Sequence, residues 1–296
     1  KTTTRSKAPI FIGLGGLLIA VVIVVFIFYK KEPAEDPNKT PLSGNIGNGQ
    51  TRENPAAESL LQMISIRGGT FTMGREPGID ELSGDKIKNN ETPTNEVTVS
   101  DFSISKYEVT NSEYFEFVKA TNHRPPKHWK NGTFEKGKED FPVVNVSLDD
   151  VNAFCKWLSD KEKRTYRLPT EEEWEFAARG TDSLLYPWGS SWEPLRANTA
   201  ELGKIMLSVK SDAMKKDTSP YGVIGMSGNV TEWTSSKYKL YKGNSSANSD
   251  SGNRVVRGSN FASPNYTAVT TTRFSIPSPE YLDVVLGFRV ARDGSK

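Results

Sequence analysis

The stretch that decides the fold is "RLPTEEEWEFAARG", residues 167–180. Thr170 followed three residues later by Glu173 has the form of a capping box, in which each side chain accepts a hydrogen bond from the other residue's backbone N–H. Gly180 supplies the stop. Between them Trp174 and Ala177 share a face, so the spacing predicts a helix that carries an indole into a core. Two more helix starts lie upstream. Thr110-Asn111-Ser112-Glu113 stands ahead of "YFEFV", and Ser147-Leu148-Asp149-Asp150 leads into Val151, Phe154, Cys155 and Leu158 at i, i+3, i+4 and i+7. Cys155 lies on that apolar stripe, which makes it a packing residue rather than a reactive thiol. Earlier still, "MISIRGGTFTMG" (63–74) and "NEVTVSDFSISKYEVT" (95–110) alternate as strands do. After Gly180 the periodicity fades into Gly, Pro, Asn, Ser and Trp. Long irregular backbone follows, whose polar groups need turns, side-chain amides or bound cations.

Composition narrows the function classes. The 296 residues carry a net charge of +2, 35% hydrophobic residues, 10% aromatics and six Trp, so the chain can bury a core. No Lys/Arg-rich tract interleaves with aromatics, and nucleic acid is not expected as a partner. One cysteine excludes an internal disulfide, and two histidines exclude a many-His metal centre. Residues 9–29, "PIFIGLGGLLIAVVIVVFIFY", are long and apolar enough to span a bilayer as a single helix after a basic flank at 1–8. Lys1, Arg5 and Lys7 outnumber Lys30 and Lys31, which favours a cytoplasmic N-terminus and an extracytoplasmic remainder. Residues 30–58 read as a flexible linker, and 59–292 as one globular domain.

Seven segments in order carry a family likeness: "GGTFTMG" (68–74), "KYEVTNSEYFEF" (106–117), "FPVVNVSLDDVNAFCKWLS" (141–159), "YRLPTEEEWEFAARG" (166–180), "YPWG" (186–189), "YGVIGMSGNVTEWTSS" (221–236) and "RVVRGSNF…LGFRVAR" (254–292). The chain resembles the formylglycine-generating enzyme, or sulfatase-modifying factor, family. That resemblance implies an α+β domain of C-type-lectin-like topology with much irregular structure. It also implies copper and two cysteines for the oxidase reaction, but the aligned positions here are Ser263 and Ala268, which supply no thiolate. Copper and catalysis are therefore not expected. A related sulfoxide synthase of thiol-histidine biosynthesis uses three histidines on iron, whereas this chain has only His123 and His128. A structural Ca²⁺ is the cofactor the resemblance leaves room for: the Gly228 and Val230 carbonyls with the Glu232 carboxylate, and Asn198 in a weaker second set. Gly225 stands where the enzymes have a further side-chain ligand. The alternative is that Asn229 and Glu232 simply hydrogen-bond their turn.

The end of the domain resembles a second group, the variable proteins of diversity-generating retroelements, which use the same scaffold. Arg257, Gly258, Arg273, Gly287, Phe288 and Arg289 match framework positions. Between them "SNFASPNYTAVTTT" and "FSIPSPEYLDVVL" draw almost wholly on the residue set that adenine-directed mutation of Asn codons produces; Glu280 is the acid outside it. Small polar groups mixed with Tyr, Phe and Ile make a paratope-like surface. The expected ligand-binding residues are Asn260, Ser263, Asn265, Tyr266, Thr267, Val269, Thr270 and Thr272, then Phe274, Ser275, Ile276, Ser278, Tyr281, Leu282, Val284 and Val285, clustered on one solvent-facing surface within a variable region at 254–292. The resulting expectation is a membrane-anchored, non-catalytic protein that presents this face to a protein or surface ligand. Two alternatives stand beside it. One is an accessory or sensor subunit of a membrane complex. The other is a divergent enzyme of the family, with Glu173, Glu232 and Asp283 as its candidate carboxylates.

Overall fold

The computed structural model describes residues 59–245, 252–277 and 280–294. The expected membrane span at 9–29 and linker at 30–58 lie outside the described residues, as does Ser278. Among the described residues no helix is long and apolar enough to cross a membrane.

All three capping boxes form. Helices α1 (Asn111–Thr121), α2 (Leu148–Glu162) and α3 (Glu171–Arg179) start at Thr110, Ser147 and Thr170, each with reciprocal bonds to the third helical residue. α1 and α2 end on Asn122 and Lys163 in the left-handed region, and α3 ends on Gly180. Trp174 and Ala177 are fully buried, as the spacing requires. Cys155 packs with Val151, Phe154 and Leu158 in one of two apolar cores, and burial pushes its thiol up to about 12.

The two alternating stretches each break in the middle. "MISIRGGTFTMG" becomes β1 (Met63–Ile66) and β2 (Gly69–Met73), and "NEVTVSDFSIS" becomes β3 (Asn95–Val99) and β4 (Phe102–Ser105). β1 pairs with β4 and β2 with β3, both antiparallel but in separate sheets. The physical reason is a close crossing at the break. A Cβ on Gly68 would lie 2.2 Å from the Val99 carbonyl oxygen, and the Gly68 N–H donates to Asp101 Oδ1 at 2.8 Å. Only glycine lets the two chains turn over each other there.

A third sheet has the order β7-β6-β5-β8, formed by β5 (Thr231–Lys237), β6 (Arg254–Arg257), β7 (Arg273–Ile276) and β8 (Leu286–Phe288). β5 runs parallel to β8 and antiparallel to β6. The terminal β9 (Ala291–Asp293) returns to pair with β4. The long passage between α3 and β5 has no α-helix or strand, in line with the sequence. Side-chain amides hold much of it: Asn229, at φ 68°, accepts from Leu207 N–H and Asn198 Nδ2 at 2.9 Å and donates to Glu108 Oε1 at 3.1 Å.

Candidate ligand-binding cleft

Strand alternation sorts the last forty residues onto two faces of one sheet. Arg257 pairs with Glu232 and with Arg273 across the ladder, so these three share a face. Thr231, Trp233, Val256, Phe274, Ile276, Leu286 and Phe288 share the other.

The first face is a buried ion lattice against α3. Glu171 accepts from Arg257 at 2.8 Å and from Arg273 at 2.6 and 2.8 Å. Glu175 accepts from Arg257 at 2.6 Å, from Arg179 at 2.8 Å and from the Gly74 N–H at 2.8 Å. Burial opposes ionisation of Glu175, but Arg257 and Arg179 outweigh it and hold the carboxyl below its ordinary range. Arg257 also lies over the Trp174 ring at 5.2 Å, and Arg273 over Tyr241 at 4.3 Å. Arg257 and Arg273 are framework residues, as their motif positions imply, and their partners are Glu171 and Glu175 of the 167–180 stretch.

The opposite face opens to solvent as a cleft of about 170 Å³. Phe274, Ile276, Tyr281, Val285, Val256 and Leu286 form its apolar walls, and Thr231, Asn260, Ser263 and Asp283 supply its polar groups. The polar groups are held in place. Asn260 Nδ2 donates to Thr231 Oγ1 at 3.1 Å, and its Oδ1 accepts from Ala262 N–H and Ser263 Oγ at 3.0 and 3.1 Å. Tyr281 OH donates to Asp283 Oδ2 at 3.0 Å, and Lys88 sits 5.2 Å over the Phe274 ring. Of the expected ligand-binding residues, the fold brings Asn260, Ser263, Phe274, Ile276, Tyr281 and Val285 to this cleft. Tyr266 and Val284 are exposed, and Asn265, Ser275 and Leu282 are half-buried. Thr231, Val256 and Leu286 were missed because they come from framework strands; period-two alternation about Trp233 and Phe288 was the available signal.

One part of the expected strip is corrected. Thr267, Val269, Thr270 and Thr272 are buried, along with Ala268 and Thr271, and Asn260 is buried too although it lines the cleft. Three of the threonine hydroxyls are bonded inside the protein. Thr270 Oγ1 donates to the Leu184 carbonyl at 2.9 Å, Thr267 Oγ1 to the Pro264 carbonyl at 2.7 Å, and Thr271 Oγ1 to Glu91 Oε2 at 2.7 Å. A run of small polar residues here satisfies irregular buried backbone instead of facing water. Ser263 lines the cleft, whereas Ala268 is fully enclosed. His123 Nε2–H donates to Asp150 Oδ1 at 2.8 Å and His128 Nδ1 meets Asn145 Nδ2 at 3.3 Å, so each imidazole has its own protein partner. Glu173 is held by Arg167 at 2.6 and 2.7 Å as well as by its capping box.

The donor set expected for Ca²⁺ does not fit a cation at Glu232. Both its oxygens are taken: Arg289 donates to each at 2.7 Å, and Trp174 Nε1 donates to Oε2 at 2.7 Å. The guanidinium supplies the positive charge a metal would bring. At Gly225 a Cβ would come within 2.9 Å of Glu108 Oε2, so another carboxylate fills that corner. Asn198, the weaker candidate, donates from Nδ2 to Ile205 O and Asn229 Oδ1 at 2.9 Å each, while its Oδ1, the atom a cation would bind, is buried without a hydrogen-bond partner. Among the described residues no cluster of three or more His, Cys, Asp or Glu is placed to hold a metal.

This pocket of acids has a pH consequence. Burial pushes Asp217 up to about 7 and Glu108 up to about 8, and raises Glu91 and Glu113 as well. Their folded-state values lie above those of the unfolded chain, so between about pH 4 and pH 8 the folded state holds more protons and stability falls as pH rises. The urea midpoint should be higher at pH 5 than at pH 8, and Asp217→Asn should flatten the slope. A midpoint rising over that interval would contradict the assignment.

Comparison with known proteins follows the same lines. The sulfatase-modifying factor enzyme 1-like domain matches residues 49–294. The inactive C-alpha-formylglycine-generating enzyme 2 of Bos taurus is 32% identical, over 83% of this chain and 90% of its own length. Among solved structures, PvdO from Pseudomonas aeruginosa superposes with a TM-score of 0.64 at 27% identity, covering 78% of this chain and 94% of that one. Variable protein 1 of Treponema denticola shares the fold, with a TM-score of 0.59 at 24% identity over 78% of this chain and 95% of its own.

Proposed function

The chain belongs to the sulfatase-modifying factor enzyme 1-like family, and on that footing we propose that it is a non-catalytic ligand-binding module. Its cleft is directed at a protein or surface ligand, and a membrane-anchored tether carries the domain outside the cytoplasm. The observation that supports this most is the division of labour across one sheet. One face is locked by buried arginine–glutamate pairs, while the other presents Phe274, Ile276 and Tyr281 beside the fixed amide and hydroxyl of Asn260 and Ser263. Semi-rigid aromatic area with small polar groups suits recognition of a macromolecular surface. The oxidase reading lacks a nucleophile. Ser263 and Ala268 stand where the resemblance puts its cysteines, and Cys155 is buried in the apolar core with its thiol pushed up to about 12.

Retroelement diversification is part of the proposal, in narrower form than the sequence alone implied. Variation is tolerable at the cleft and rim, but Thr267, Val269, Thr270 and Thr272 are buried, and there it would open cavities or overpack the interior. A template copy of these codons in the flanking DNA should therefore place its mutable adenines at positions such as 263, 266, 276, 281 and 284.

The reading is tested by randomising Ser263, Ile276, Tyr281, Val284 and Val285 together and selecting for capture of a chosen protein such as streptavidin. Most members should stay within about 2 kcal/mol of the parent, and binders should emerge. General unfolding of the library, or oxygen uptake above background by the parent chain with copper and a cysteine peptide, would sink it.

A further inference from the structure

A larger hollow lies on the far side of the same loop, and we propose that it is a separate site for an aromatic carboxylate. The loop divides its side chains: Asn260 and Ser263 line the cleft, whereas Phe261 between them lines a groove of about 700 Å³. This inference does not depend on the cleft reading.

The groove is built from the residues between α1 and α2 and from the 204–206 segment. Trp129, Phe134, Phe141 and Phe261 give it aromatic walls. Trp129 is only 7% exposed and is wedged among rings, with Tyr114 at 6.1 Å and 87° and Phe134 at 5.4 Å and 70°. Its ring is therefore fixed. Its indole Nε1–H has no hydrogen-bond partner, although it is buried and its residue lines the groove. Asn111, 5% exposed, is in a similar position. Its Nδ2 is tied to the Lys138 carbonyl at 2.9 Å, while its Oδ1 has no partner.

A buried donor left unmade costs free energy, which a ligand acceptor relieves. Charge decides which acceptor. Lys130, Lys138 and Lys204 border the groove against the single carboxylate of Glu135, and Lys138 Nζ sits 3.9 Å over the Phe141 ring. Three ammonium groups against one acid favour an anion and disfavour a cation. A purely apolar occupant would leave the indole N–H and the Asn111 oxygen unsatisfied. The occupant that answers every feature has a flat apolar body for the aromatic walls and a carboxylate for the indole and the lysines. A substituent N–H or O–H on that body suits Asn111 Oδ1. The volume leaves ample room for a bicyclic ring system and its substituents.

The test uses the full chain and 2-naphthoate, titrated by calorimetry. One saturable site per chain is expected, with affinity at least tenfold above that for 2-naphthylmethylammonium. Lys138→Gln with Lys204→Gln should weaken binding about tenfold. Both are exposed, so this variant keeps the test decisive even if a core change misfolds. Trp129→Phe should weaken binding about fivefold, measured where the urea transition shows the variant fully folded. No saturable binding, equal affinity for the ammonium analogue, or indifference to the double lysine variant would overturn the proposal.

Discussion

Replacing Glu175 with alanine should cost about 3–5 kcal/mol, the usual penalty for breaking a buried ion pair from one side. That is a large part of the roughly 5–15 kcal/mol that holds a typical domain together. Glu175 is fully buried and accepts from Arg179, Arg257 and the Gly74 N–H. Its removal leaves two guanidinium groups enclosed, with Arg179 deprived of its only carboxylate among the described ion pairs. Arg257 retains Glu171, but Glu171 already serves Arg273. Glu175→Gln should cost less than the alanine change, because it keeps an acceptor while losing the charge. Urea denaturation followed by tryptophan fluorescence reads the loss directly. The control is Lys156→Ala, which removes an exposed helical pair with Asp160 and should move the midpoint by less than about 0.5 kcal/mol. If the two variants behaved alike, the lattice would not be what locks this face of the sheet.

Arg289→Leu should be comparably severe near pH 8, again about 3–5 kcal/mol, and it carries a signature the first variant lacks. Arg289 is fully buried and is paired with both oxygens of Glu232, with Glu108 Oε2 4.0 Å away. Asp217, also fully buried, feels its charge. Without the guanidinium, three carboxyl groups share an enclosed space with no counter-charge. Glu108 and Asp217 lose the charge that holds them down and are pushed further up, so the folded state takes up protons as pH falls and recovers stability toward acid. The deficit relative to the parent should shrink measurably at pH 5. A deficit that is the same at both pH values would mean that Arg289 contributes packing rather than charge. A variant that regained its stability on adding calcium would show that the cavity accepts a metal in place of the side chain.

Local rules were enough for the elements with local causes. The boxes at Thr110, Ser147 and Thr170 needed only a hydroxyl and an acid three residues apart, and all three helices begin there. The stripe that holds Cys155 was equally visible, because helical periodicity alone decides which residues share a face. Likewise the framework roles of Arg257, Arg273 and Arg289 could be read from motif positions. Their partners could not, since Glu171 and Glu175 lie 102 and 82 residues away from Arg273 and Arg257 respectively.

The break at Gly68 and the fate of the threonines were settled by distant neighbours. The alternation of residues 63–74 fits one strand, and what splits it is the approach of Val99 from another segment. Thr270 and Tyr266 belong to the same polar-aromatic run, yet one is sealed against the Leu184 carbonyl while the other is exposed. Composition reports what a side chain is able to bond, but not whether water or a buried carbonyl will be its partner. The same holds for Glu232. Its chemistry suited a hard cation, and an arginine from 57 residues away took both oxygens. Residue types and short spacings thus wrote the helices, the core stripe and the thiol-free loop. Burial and charge pairing waited on the closing of long loops, because those energies depend on what arrives across space.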